Sequence, residues 1–173
     1  MSTIQRINFS PVSDILPVQR RDFGLADKTL ANPSGANPLV DGEWMVIDSN
    51  YKAAVACDRS AAGNVATQTA YVVFAESGRF DIQSMAETKV PLLYLGDYEA
   101  DTRIFDAAAA VSGGAAITFV GQPLKVASID IGGIIKIGLV GAVAGDGEPI
   151  VGRVTRLPAN NGGKLRFRSA SSI

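Results

Sequence analysis

Between Gly96 and Asp106 the sequence GDYEADTRIFD brings together Asp97, Glu99, Asp101 and Asp106. Closely spaced carboxylates can hold calcium, or, as a pair set across a sugar, hydrolyse a glycosidic bond. The calcium-loop spacing is not met: counted from Asp97, the sixth position should be glycine and is Thr102, and the twelfth should be glutamate and is Ala108. A solvated acidic loop without a metal is the expectation, and no substrate pocket is signalled. Histidine is absent from the chain, which removes the usual general base near neutral pH, the serine and cysteine triads that use it, and every histidine-containing zinc site. Cys57 is the only cysteine, so no internal disulfide or thiolate cluster forms; within YKAAVAC it reads as a small buried hydrophobe.

Residues 132–157, GGIIKIGLVGAVAGDGEPIVGRVTRL, hold seven glycines and raise the question of a phosphate cradle. A dinucleotide site needs GxGxxG between a strand and a helix, and a P-loop needs GxxxxGK followed by Ser or Thr; neither occurs. Gly145 to Pro149 reads as a hairpin loop. Gly132-Gly133, Gly138, Gly141 and Gly152 read as bulges or bends, where a sheet curls or another backbone comes close. No cofactor is expected.

The elements that must position these residues are short. With 173 residues, 47% hydrophobic and 19% charged, the chain can bury a core without metal or disulfide support. A net charge of −1 gives no overall attraction to nucleic acid or an acidic membrane. The first twenty residues lack a signal-peptide apolar core, and IDIGGIIKIGLVGAVAG is interrupted by Asp130, Lys136 and glycines, so neither secretion nor a membrane span is expected. Residues 1–40 carry Pro11, Pro17, Pro33 and Pro38 and read as an extended N-terminal arm, with one weak helical turn over Asp22 to Leu30.

From residue 41 to 173 the pattern predicts a single β-barrel-like domain. Strand-length runs appear in EWMVID, YKAAVAC, QTAYVVFAE, GRFDIQS, TKVPLLYL, AAITFVG, QPLKVAS, IIKIGLV, PIVGRVTRL and GKLRFRS, separated by turn residues. The fold class is therefore mainly β: a small barrel or sandwich, with at most one short helix, for which Ala100 to Ser112 is the candidate. Trp44 reads as a core anchor.

Charge is uneven. Seven acids face three bases from Ala75 to Asp106, whereas Arg153, Arg156, Lys164, Arg166 and Arg168 follow Pro149 with no acid among them. In KLRFR a period of two puts Lys164, Arg166 and Arg168 on one face and Leu165 and Phe167 on the other. This is either the charged outer face of an edge strand or a basic patch that docks on an acidic protein surface. Aromatics do not interleave these bases, so a nucleic-acid platform is disfavoured. Arg20-Arg21 is either a solvated turn or an anchor within the arm.

The proline-containing arm, the passage GRFDIQSMAETKVPLLYLGDYEADTRIFD, and the terminal order GQPLKV, IGLVGAVAG and PIVGRVTRLPANNGGKLRF together resemble the head decoration, or cement, proteins of tailed bacteriophages, over residues 38 to 168. The resemblance implies a non-enzymatic, mainly β virion protein on the outer surface of the capsid, assembled in the host cytoplasm. Its partners would be the major capsid protein and its own copies in a homotrimer. Interface residues are then expected in the arm, at Arg20 and Arg21; around the acidic stretch, at Asp97, Tyr98, Glu99, Asp101 and Arg103; and on the basic strand, at Lys164, Arg166 and Arg168. The alternatives are a tail or baseplate barrel, or a barrel that binds a metal or a glycan through the acids of residues 96–106.

Overall fold

The computed structural model describes residues 9–13, 19–32, 34–74, 89–94, 96–108, 114–143 and 145–170. It is mainly β, 43% strand and 6% helical, with two antiparallel sheets, one of them a half-barrel. The strands are β1 (Phe9–Pro11), β2 (Arg20–Gly24), β3 (Trp44–Ile47), β4 (Ala53–Val55), β5 (Tyr71–Val73), β6 (Lys89–Leu93), β7 (Glu99–Thr102), β8 (Pro123–Ile131), β9 (Ile134–Gly141), β10 (Gly152–Arg156) and β11 (Leu165–Ser169). Six form one sheet in the order β1-β7-β11-β10-β8-β9, and five form the other in the order β2-β6-β5-β3-β4.

The main core lies under the inward faces of these strands. Phe167 sits at its centre, with Trp44, Tyr98 and Phe9 ring centroids 5.9, 6.1 and 6.4 Å away. Trp44, from the five-stranded sheet, therefore packs on β11 of the six-stranded sheet, which is the anchoring role expected of it. A second cluster, including Phe23, Leu39, Met45 and Leu92, fills the other side of the five-stranded sheet.

Within the segment read as an arm, β1 pairs with β7 and β2 pairs with β6, and Phe9 and Phe23 are buried. Each is the terminal strand of its sheet. Val12 N–H bonds Glu99 at 2.7 Å, so the alternation of an antiparallel ladder turns the nitrogen of Pro11 outward, where its missing N–H costs no ladder bond. The weak helical turn expected over Asp22 to Leu30 is instead the end of β2 followed by a 3-10 turn, Lys28–Ala31, whose Thr29 N–H is capped by the Asp27 carboxylate.

Three expectations are corrected. Ala100 to Ser112 is not a helix over its described part: Ala100–Thr102 belongs to β7 and Phe105 bridges to Leu139, because pairing with β11 and β9 outweighs the helix preference of alanine. Gly132-Gly133 is not a bulge but the two-residue turn of the β8–β9 hairpin, with φ of 64° and 88°, values that glycine adopts without strain. Gly145 to Pro149 is not a hairpin loop, since β10 pairs with β8 and not with β9, so the chain must cross the end of β8. AAITFVG contributes only a bridge at Ala115, and GRFDIQS lies outside the described residues.

Close backbone approach does explain the other glycines. A β-carbon on Gly138 would lie 2.7 Å from the Ile104 carbonyl oxygen, and one on Gly152 would lie 2.6 Å from that of Arg168.

Candidate functional site

Alternation along β7 and β11, and along β10 with one bulge between Val154 and Arg156, sorts their side chains. Tyr98, Ala100, Leu165, Phe167 and Val154 point into the core, leaving Asp97, Glu99, Asp101, Arg166, Arg168, Arg153 and Arg156 on the outer face. The register sets Arg166 opposite Asp101 and Arg168 opposite Glu99. Arg166 grips Asp101 with both ends of its guanidinium, Nε to Oδ1 at 2.8 Å and Nη2 to Oδ2 at 3.1 Å. Arg168 reaches diagonally to Asp97, with Nε 2.9 Å from Oδ2. Thr155 Oγ1 donates to Glu99 at 2.6 Å, and Asn161 Nδ2 donates to Asp101 at 2.8 Å.

The acids and bases that the sequence kept 65 and 71 residues apart thus form one ladder. The Arg168 hydrogen bond holds the Asp97 carboxyl below its usual range. For Asp101 burial pushes the other way, and the hydrogen bonds from Arg166 and Asn161 outweigh it, so its carboxyl is also lowered. β11 is an interior strand between β7 and β10, which corrects its reading as an edge strand. The basic patch is likewise half neutralised: Arg166 and Arg168 are spent on the acids of β7. Arg153 and Arg156, directly across from Arg168 and Arg166, have no carboxylate partner among the described residues.

The remaining interface candidates scatter. Tyr98 is 5% exposed and belongs to the core, where burial drives its hydroxyl pKa far up, so it is not offered to a partner in this conformation. Arg103 is exposed and Lys164 half-buried beside the same face. Arg20 and Arg21 lie on β2 in the other sheet, where the Arg21 guanidinium stands 5.3 Å from the Phe23 ring centre.

Two buried charges escaped the sequence reading. Glu43 is fully enclosed and meets Arg59 at 3.2 Å and Lys136 at 3.4 Å. Its carboxylate also accepts from the backbone N–H of Val40 at 2.8 Å and of Ile137 at 3.2 Å. Lys125, also fully enclosed, lies 2.6 Å from Asp146 and 3.4 Å from Glu148, which pins the chain crossing from β9 to β10. No spacing rule pairs residues so far apart; the only local sign was a charged residue within a largely apolar strand, Lys125, or directly before one, Glu43.

Chemistry is not concentrated anywhere on this face. Burial pushes the Cys57 thiol up to about 11, away from the thiolate a nucleophile needs. No group of three or more metal-ligating side chains converges among the described residues. A cleft of about 440 Å³ lies elsewhere, beside β4 and the 3-10 turn. What the ladder offers is a patterned, mutually braced polar surface backed by the aromatic core. No family model, no curated protein and no solved structure matches the chain.

Proposed function

We propose that the protein is a structural component of a phage virion, which binds the outer surface of the capsid, associates with its own copies as a trimer, and stabilises contacts between major capsid subunits. The observation that carries this reading is the ion-paired ladder Asp97–Arg168 and Asp101–Arg166, held on a sheet face by the core beneath it. Side chains already fixed by one another lose less freedom when a partner arrives, so such a face suits polar docking. Arg153 and Arg156, with no carboxylate partner among the described residues, give it a positive margin that favours an acidic partner surface. The terminal strands β1 and β2, contributed by the N-terminal segment, add sheet edges along which a neighbour's backbone can pair.

The test is addition of purified protein to preformed or expanded capsids. Binding to heads, with a raised temperature of capsid disruption that weakens in Arg153→Glu/Arg156→Glu, supports the proposal. Labelling of tails instead of heads, or no effect on capsids, overturns it.

A further inference from the structure

The turn Phe119–Gln122 presents an apolar knob that the fold holds rigid. Phe119 is 55% and Val120 61% exposed, although both stand on a well-braced turn. Gly121 has φ 92°, its N–H bonds Val154 at 2.7 Å, and its carbonyl accepts from Arg153 at 3.1 Å. Below it, buried Gln122 uses both ends of its amide, accepting from Thr118 N–H at 2.8 Å and donating to the Ala116 carbonyl at 2.7 Å. Exposed aromatic and branched residues on a pre-organised turn, with a guanidinium beside them, have the make-up of an interface anchor.

A matching depression lies on the other sheet. The cleft of about 440 Å³ has Ala26, Leu30, Ala54 and Val55 as apolar wall and the carboxylates of Asp27 and Asp58 at its margin. Hydrogen bonds from Thr29 and from Ser60 lower the two carboxyls, so both are charged near neutral pH. Arg59, also in the wall, is matched by Glu43. The cleft has room for an aromatic ring and a valine, and its acids complement Arg153.

We infer that the Phe119–Val120 knob of one copy docks in the Ala54–Val55 cleft of a second copy, with Arg153 against Asp58. Because knob and cleft are different surfaces, the contact is head-to-tail: it builds a ring if the rotation closes and an open chain if it does not. The inference rests only on the self-association part of the proposed function, and is tested without capsids.

Light scattering across a concentration series should give a multiple of the 18.0 kDa chain mass. Phe119→Asp, Arg153→Glu and Asp58→Arg should each weaken association by about tenfold or more, and Arg153→Glu combined with Asp58→Arg should restore it. In a Cys57→Ser background, oxidising a mixture of Val120→Cys and Ser60→Cys chains should yield a disulfide-linked pair even where a charge variant folds poorly. A single-chain mass at all concentrations, an oligomer indifferent to these substitutions, no rescue by the charge exchange, or no mixed disulfide overturns the contact. Whether the monomeric Phe119→Asp and Asp58→Arg variants still bind capsids is read separately and bears on the proposed function alone.

Discussion

The carboxylate of Glu43, just before β3, accepts the outward N–H of Ile137 in β9, 3.2 Å away. That bond closes one sheet's free edge with a side chain from the other. The rest of the same edge is closed in kind. The Ile135 carbonyl accepts from Asn37 at 2.7 Å, Leu139 exchanges bonds with Ile104 and Asp106, and Ala115 N–H bonds Gly141 at 2.8 Å. A long apolar strand that would otherwise invite pairing with another chain is thereby covered.

Replacing Glu43 by alanine should strip the compensation from half-buried Arg59 and Lys136 and uncap β9. The expected loss is about 3–5 kcal/mol, measured by urea unfolding, with faster amide exchange at Ile137. A loss within error of zero would contradict the capping role.

Asp101 makes stability depend on pH. Its folded pKa is lowered, so the Asp101–Arg166 contribution is present above the unfolded value of about 3.9 and disappears as pH falls through the folded value. Asp101→Asn should therefore be less stable than wild type at pH 7, by about 1.5–3 kcal/mol. The gap should shrink progressively below about pH 4. Parallel denaturation series at several pH values check this; a gap that widens in acid would refute it. The exposed Asp97–Arg168 pair should matter less, because solvent screens it.

Gly152→Ala forces a β-carbon to within 2.6 Å of the Arg168 carbonyl and 3.0 Å of the Phe167 ring. Relief requires β10 to move off β11, which should cost about 1–3 kcal/mol. Gly145→Ala is the internal contrast: nothing lies within 4 Å there, and only its φ of 92° opposes the side chain. Melting temperatures of the two variants decide, with Gly152→Ala expected to fall further.

Cys57 should resist thiol reagents at pH 8 in the folded protein and react fully once unfolded, since burial raises its pKa to about 11. Titration with a chromogenic disulfide, with and without denaturant, measures the ratio of rates. Rapid reaction in the native state would show that the thiol is less enclosed than the fold implies.

Some of this was legible from residue order alone. β-branched and aromatic runs bounded by turn residues in EWMVID, QPLKVAS and IIKIGLV mark β3, β8 and β9, and alternation in KLRFR marks β11, because both signals are local in the chain. The same alternation placed Leu165 and Phe167 inside and Arg166 and Arg168 outside. β1, β2 and β7 were not legible: FSP, RRDFG and EADT carry no apolar alternation, and they are strands only because β6, β7 and β11 offer them unpaired backbone. Which acid meets which base was decided by register alone. Asp101 and Arg166 stand 65 residues apart, and only the laying of β11 beside β7 turns an acidic stretch and a basic tail into one braced face.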